Sequence, residues 1–192
     1  NGSANYSTDA NYANDSWQST MMSYFDQSEN TSITATKAYL SSPMSVDWIA
    51  LDDMYAGYGY GVSSAFTGNT TYGYNTNIAE STSEIFANFE DYASATAFTL
   101  IDGSGTDTLD VSGFSNNQII DLRATEKTSS SLYPSNIGSS TGNLTIAAGT
   151  VIENAVGGTG NDSLRGNSAN NSLEGGNGND TLNGDSGDDT MV

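Results

Sequence analysis

The chain contains no cysteine and no histidine among its 192 residues, only two prolines, and just four basic side chains. Without thiols there can be no disulfide, no thiolate nucleophile and no cysteine-type zinc site. Without imidazole, neither a Ser-His-Asp triad nor an imidazole-ligated metal can be completed from this chain alone. Any chemistry rests on carboxylates, tyrosine or lysine. Lys37, Arg123, Lys127 and Arg165 stand against 23 acidic residues, so the formal charge is 4 − 23 = −19. No basic face can be built for phosphate, which argues against nucleic acid and anionic membrane as partners. No apolar run approaches the roughly 20 residues of a membrane span, and the opening Asn1-Gly2-Ser3 lacks the basic and apolar regions of a signal peptide. A soluble monomer is expected.

What the chain has in abundance is Gly, Asn, Ser and Thr, which suit turns and short strands better than helices. Aromatic residues make up 10%, enough to argue for packing over disorder along most of the length. From Gly157 onward the chain reads GGTGNDSLR, GNSANNSLE, GGNGNDTLN, GDSGDDTMV, four nonapeptides starting at Gly157, Gly166, Gly175 and Gly184. Leu164, Leu173, Leu182 and Met191 recur every nine residues, as do Asp162, Asn171, Asp180 and Asp189. Glycine permits the tight bends that bring carbonyl oxygens together, and the aspartate adds a hard carboxylate. The Ser/Thr-Leu pair makes a very short strand whose leucine points inward. Oxygen-only donors in a glycine-rich bend suit calcium, and nothing here offers the nitrogen or sulfur that zinc prefers. No EF-hand loop is present, since no Asp-x-Asp/Asn-x-Asp/Asn-Gly run carries its Glu six residues on.

The nonapeptide has the G-G-x-G-x-D-x-U-x form of the RTX repeat, which implies a parallel β-roll in which two units make one coil. Loops 157–162 and 175–180 should then share one side, with 166–171 and 184–189 on the other. One calcium site is expected from Gly158, Gly160 and Asp162 with Gly175, Asn177 and Asp180. A second, weaker one is expected from Asn167, Ala169 and Asn171 with Gly184, Ser186 and Asp189, because its first unit has lost glycines and aspartate. With so small an apolar spine, the roll should depend on the ion to fold, and chelation is expected to remove β-structure from about residue 100 onward.

Upstream, Ala97 to Ile101, Thr108 to Val111, Gln118 to Leu122, Leu144 to Ala147 and Val151 to Val156 read as strands between turns. Within them Asp102-Gly103-Ser104-Gly105-Thr106-Asp107 holds two carboxylates five residues apart. It reads equally as an Asp-capped turn or a ligand loop. Glu153 reads equally as solvated or as a ligand. Phe66 to Thr70 is another turn rich in oxygen. One helix is expected from Pro43 to Tyr55, with Ser42 as N-cap, Pro43 at the first helical position and Met44, Trp48, Leu51 and Tyr55 on one apolar face. Asp47, Asp52 and Asp53 should lie near its wet side. The knot Trp17 to Phe25 reads as local core.

Taken in order, several pieces resemble the serralysins, the RTX-bearing branch of the metzincin zinc endopeptidases. They are Met22-Ser23-Tyr24-Phe25, the helix, Thr70-Thr71-Tyr72-Gly73-Tyr74, Gly105 to Phe114, Ile152-Glu153-Asn154-Ala155 and the repeats. The resemblance implies a mainly β chain: residues 1–60 as the C-terminal end of a metzincin catalytic domain with one α-helix, and residues 61–192 as a calcium-binding β-roll with flanking strands. It implies that Met22 floors a zinc site as the Met-turn and that Tyr24 ligates the zinc and stabilises the oxyanion. It also implies two more calcium sites, one from Phe66, Gly68 and Thr70 with Asp102, Ser104 and Asp107, the other from Gly105 and Asp107 with Val151 and Glu153.

The departure is as informative. The family's His-Glu-x-x-His-x-x-Gly-x-x-His motif is absent, so the zinc ligands and the general base would come from residues outside this chain. The chain by itself is expected to be inactive, one piece of a bacterial, secreted, extracellular protease acting on protein or peptide substrates, with the missing N-terminal portion as a possible companion fragment. The alternative is a non-catalytic calcium-binding module for secretion or adhesion. A weaker third reading, a polysaccharide lyase or epimerase with RTX repeats, rests on the tyrosines from Tyr55 to Tyr74 and leaves Met22-Ser23-Tyr24 unexplained.

Overall fold

A strand of three residues cannot persist alone, and it survives only when stacked on copies of itself over a shared core. The computed structural model describes residues 5–10, 16, 20–23, 27–31, 34–128 and 131–192, and such stacking governs most of them. Strands β1 (Tyr39–Leu40), β2 (Thr71–Gly73), β3 (Thr96–Leu100), β4 (Thr108–Asp110), β5 (Ile119–Asp121), β6 (Leu144–Ile146), β7 (Asn154–Val156), β8 (Ser163–Arg165), β9 (Ser172–Glu174), β10 (Thr181–Asn183) and β11 (Thr190–Met191) form three parallel sheets. The longest runs β11-β9-β7-β4-β2, a second runs β10-β8-β5, and a third runs β1-β3-β6.

From β7 onward successive strands alternate between the first two sheets, and each pairs with the strand two units away: Ala155 with Leu173, Leu164 with Leu182, Leu173 with Met191. Two nonapeptides therefore make one coil, as the repeat implies. The same register continues upstream. Tyr72 pairs with Leu109 and Leu109 with Ala155, while Ile120 pairs with Leu164. Residues 65–73, 102–110, 113–121 and 148–156 thus occupy the place of nonapeptides, with Tyr72, Leu109, Ile120 and Ala155 where the repeat has leucine.

These inward residues join one core that also holds Phe89, Phe98, Leu100, Leu122, Ile137 and Leu144, all fully buried or nearly so. Each buried Leu or Phe contributes about 1.5–3 kcal/mol. Leu164 and Leu173 belong to it, Leu182 is half-buried, and Met191 is 52% exposed, so the spine fades along the described stack. The observed strands fall within a residue of the expected ones, except that Val151 to Glu153 is irregular and β7 begins only at Asn154, with Gly149 in the left-handed region.

The α-helices number four among the described residues: α1 (Tyr6–Asp9), α2 (Ser45–Tyr55), α3 (Glu84–Ala87) and α4 (Phe89–Tyr92). The long one, α2, starts two residues later than the sequence implies. Ser42 is not its N-cap, because its hydroxyl accepts the Thr99 amide at 2.8 Å and donates to Pro43 O; Pro43 in turn lies outside the helix. The cap position is Met44, whose amide donates to Asp47 Oδ2 at 2.9 Å. Asp47 also accepts from Thr20 Oγ1 and the Met21 amide, so it ties the segment before the helix to the helix start and does not face water freely. On the apolar face, Met44 is buried, Trp48 and Leu51 are half-buried, and Tyr55 is exposed. Most of the Trp17 to Phe25 knot, including Trp17, Tyr24 and Phe25, lies outside the described residues.

Candidate metal-binding loops

Each unit places a turn of about six residues before its strand, so the turns stack on two sides. Before the five-stranded sheet lie 66–70, 102–107, 149–153, 166–171 and 184–189. Before β5, β8 and β10 lie 113–118, 157–162 and 175–180. The residue just before the strand, the sixth of the unit, recurs as the organising group. Its backbone amide donates to the side-chain oxygen of the sixth residue one coil later: Thr70 to Asp107 Oδ1 at 2.7 Å, Asp107 to Glu153 Oε2 at 2.7 Å, Gln118 to Asp162 Oδ1 at 2.7 Å, Asp162 to Asp180 Oδ1 at 2.8 Å, and Asn171 to Asp189 Oδ1 at 2.8 Å. One residue earlier, an exposed asparagine ladder runs in parallel, with Asn117 accepting from the Asn161 amide and Asn161 from the Asn179 amide.

All four residue sets named from the sequence are brought into adjacent turns. Thr70 Oγ1 bonds Gly68 O, Ser104 N bonds Asp102 Oδ1, and a Cβ on Gly105 would overlap Gly68 O, so Gly68 and Thr70 lie directly against the Asp102 to Asp107 turn. Phe66, which opens this set, has φ +41°, a conformation a bulky residue adopts only under constraint. Its ring supplies the constraint, meeting Tyr72 and Phe86 edge-to-face at 5.8 and 5.9 Å. The Asp107 and Glu153 backbones interlock, with Glu153 N donating to Asp107 O. Val151, the fourth member of that set, is 46% exposed. On the other side Asn177 N bonds Gly158 O at 3.0 Å, while Gly178 leaves no room for a Cβ against Gly160 O, and Gly157 none against Gly175 O. In the last set Ser186 N bonds Asn167 O, Gly187 closes on Ala169 O, and Gly166 on Gly184 O.

The electrostatics of these turns are one-sided. Asp102 and Asp107 are each 1% exposed and Asp162 is 2% exposed. The ion pairs among the described residues join Arg123 to Asp121, Lys127 to Asp52 and Asp53, and Arg165 to Asp185, so none reaches these buried carboxylates or Glu153. Burial pushes Asp107 up to about 6, with the Asp102 charge adding to it against the Thr70 amide. Burial likewise raises Asp102 and Glu153, the latter helped by the Asp107 charge. Buried carboxylates without a cation are costly, and a hard divalent cation held by carbonyls and carboxylates would remove that cost. Among the described residues no group of three or more His, Cys, Asp or Glu converges on a metal position. An ion in these turns would therefore take most of its ligands from backbone carbonyls, which is the donor set the glycine-rich units present.

Zinc is a different matter. Met22 is 80% exposed, and its amide donates to Thr20 Oγ1. Tyr24 lies outside the described residues. The floor and ligand roles assigned to them by resemblance require imidazoles that this histidine-free chain does not carry, so its own residues do not make a zinc site.

Sequence reasoning missed three contributors. The 113–118 turn stacks on 157–162, with Thr159 N bonding Phe114 O and Gln118 N bonding Asp162. Thr150 Oγ1 accepts the Asp102 amide, and Tyr72 reaches Asp102 Oδ2 with its hydroxyl. A signal existed for the unit that carries Asp102: Asp102-Gly103-Ser104-Gly105-Thr106-Asp107-Thr108-Leu109 has the repeat's glycines, aspartate and leucine at the repeat's spacing.

The family model for the peptidase M10 serralysin C terminal matches residues 63–192. Serralysin B of Dickeya chrysanthemi is 40% identical over 161 residues, covering 84% of this chain and 30% of the relative. Serralysin C of the same organism is 42% identical over 154 residues, 80% of this chain and 29% of the relative. Metallopeptidase AprA of Pseudomonas marginalis is 38% identical over 157 residues, 80% and 30% of the two chains. The chain spans about three tenths of the length of these relatives. On the family model's match to residues 63–192, the chain belongs to the peptidase M10 serralysin C-terminal family.

Proposed function

We propose that this chain is the calcium-binding C-terminal portion of a secreted, extracellular zinc-dependent endopeptidase that hydrolyses peptide bonds in proteins. The observation that carries the reading is the file of sixth-position carboxylates, two of them buried, that accept backbone amides of the turn above and, among the described residues, are joined by no ion pair. Calcium at these turns supplies the missing positive charge and joins one coil to the next. The chain's own residues supply carbonyls from Phe66, Gly68, Ser104, Gly105, Val151, Gly158, Gly160, Gly175, Asn177, Asn167, Ala169, Gly184 and Ser186, with side-chain oxygen from Thr70, Asp102, Asp107, Glu153, Asp162, Asp180, Asn171 and Asp189. Each ion that binds only the folded form adds about 2.7 kcal/mol at a hundredfold excess over its Kd.

For the zinc-dependent step the relatives' names support a metallopeptidase parent, and the run Met22-Ser23-Tyr24 resembles the family's Met-turn. The zinc ligands and base belong to residues this chain lacks, so no catalytic step is assigned to it. Secretion agrees with the cysteine-free composition, and among the described residues no helix is long and apolar enough to cross a membrane.

The test is native mass spectrometry of the 192-residue chain with Ca2+ added, alongside a peptidase assay. Bound calcium in several equivalents and no peptide hydrolysis are expected. Absence of calcium uptake would overturn the calcium reading, and hydrolysis by the chain alone would overturn its assignment as a partial enzyme. A source preparation in which no His-containing polypeptide and no zinc accompany the chain would favour the non-catalytic secretion or adhesion module instead.

A further inference from the structure

The ladder of sixth-position oxygens has one break. Between turns 149–153 and 166–171 the sixth residues are Glu153 and Asn171, and the Glu153 amide does not reach the Asn171 side chain; it donates to Asp107 O. Asn171 Oδ1 instead accepts the Asn167 amide within its own turn at 2.9 Å, and Asn171 Nδ2 points back up the stack to Glu153 O at 2.9 Å. The second residue of the same unit does likewise. Asn167 Nδ2 donates to Ile152 O at 2.8 Å and to Leu122 O at 3.1 Å, where the repeat has a glycine with no side chain. The two amides are bound to each other as well, Asn171 Nδ2 to Asn167 Oδ1 at 3.2 Å. Asn171 is 3% exposed, so this is an interior junction.

At the 66–70/102–107, 102–107/149–153, 157–162/175–180 and 166–171/184–189 junctions a backbone amide of one turn donates to a carboxylate of the next, which leaves a net negative charge to be answered from outside. Here N–H dipoles meet carbonyls, every donor has an acceptor, and no net charge is added. A cation placed among these groups would stand against two NH2 groups. We propose that Asn167 and Asn171 replace the cation at the 149–153/166–171 junction, so that the roll is divided into two calcium-responsive blocks joined by an ion-free seam of side-chain amides. This rests on the calcium reading of the neighbouring turns. It also narrows the expectation that chelation dissolves everything beyond residue 100: β7 and β9 stay stacked on each other through the seam, and β8 stays beside β5, where the Gln118 side chain is itself held by Asn116 O and Gly138 O, while β10 and β11 come away.

Hydrogen exchange with mass spectrometry on the full chain, in Ca2+ and in EGTA, tests it. EGTA should abolish protection across residues 175–192 and leave it across 154–174. Asn171→Asp puts a carboxylate into the seam; its calcium stoichiometry should rise by one ion per chain, and its protection across 154–174 should become EGTA-sensitive. Asn167→Gly removes a donor without adding charge, so it should weaken protection there in EGTA with stoichiometry unchanged. The inference is overturned if the wild type binds calcium yet loses 154–174 in EGTA as completely as 175–192, or if Asn171→Asp alters neither stoichiometry nor protection. A wild-type chain that takes up no calcium and exchanges identically in both buffers overturns the calcium reading itself, an outcome separate from these.

Discussion

The Tyr72 hydroxyl stands 2.9 Å from Asp102 Oδ2 and 2.7 Å from Ile101 O, with the tyrosine fully buried. Its ring meets Phe66 and Phe86 edge-to-face, so one side chain links the aromatic core to the carboxylate of a candidate calcium turn. Burial and the neighbouring Asp102 charge both raise the phenol's pKa, which keeps it a donor throughout the accessible range. Tyr72→Phe keeps the ring and removes the donor. The one phenol proton, shared between Asp102 Oδ2 and Ile101 O, is lost from a buried site, which costs about 1–3 kcal/mol. The urea midpoint in Ca2+ should fall accordingly, with weaker calcium binding at 66–70/102–107; an unchanged midpoint would show that the hydroxyl holds nothing.

The raised carboxylates fix the sign of the pH dependence. Asp102, Asp107 and Glu153 hold protons more tightly folded than unfolded, so without metal the folded chain binds more protons and stability declines as pH rises. The contribution is fully present below the unfolded carboxylate value near 4, and it is lost as pH passes the Asp107 value of about 6. Asp52 and Asp185 are shifted down by Lys127 and Arg165 and act in the opposite sense, but in solvent-screened surface pairs. In EGTA the denaturation midpoint should therefore drop across this window, and Asp107→Asn should flatten the drop more than a surface Asp53→Asn does. In excess Ca2+ the slope should reverse, because the ion needs the ionised forms. A metal-free midpoint that climbs with pH would contradict the assignment.

Why the four units from Gly157 show their period in the sequence while those upstream show only separate strands and turns is a matter of what each residue contributes. The units from Gly157 onward keep glycine at the bends and leucine or methionine at the inward position, so the period is visible by eye. In 65–73 and 148–156 the inward residue is Tyr72 and Ala155, fitted to wide and narrow parts of the core, and the sixth is Thr70 or Glu153; only the backbone register reveals the equivalence. Long insertions carrying α3, α4, β3 and β6 separate the upstream units and hide the spacing. The start of α2 was misread because Ser42, a good cap by type, is held by the Thr99 amide. Burial of Asp102 and Asp107 depends on Tyr72, Thr150 and the Ala65 carbonyl arriving from distant turns, which no local pattern encodes.

The inward spine should show a gradient in mutational cost. Leu173 is fully buried in the main core, whereas Met191, its partner one coil on, is 52% exposed. Leu173→Ala leaves a cavity and should cost about 2–5 kcal/mol. Met191→Ala should stay within about 0.5 kcal/mol. Chemical denaturation of both variants in saturating Ca2+ checks the pair, and equal costs would mean that the coil ending in Met191 is covered in solution to the same degree as the coil above it.

Gly178 has φ +140°, and a Cβ there would overlap Gly160 O, the carbonyl directly above it in the stack. Gly178→Ala therefore meets two penalties. The backbone conformation alone costs about 1–3 kcal/mol for a residue with a side chain, and relieving the overlap must push turn 175–180 away from turn 157–162. That separation stretches the 3.0 Å bond from Asn177 N to Gly158 O and the 2.8 Å bond from Asp162 N to Asp180 Oδ1, the contacts that would hold an ion between these turns. Calcium affinity at that junction should fall together with stability, and raising Ca2+ should recover only part of the loss because the geometry stays wrong. Gly57→Ala is the control: nothing lies within 4 Å of its Cβ position, so it should be neutral or slightly stabilising. If Gly178→Ala matches Gly57→Ala in denaturation midpoint and calcium uptake, the close stacking of the two turns does not hold the coil together.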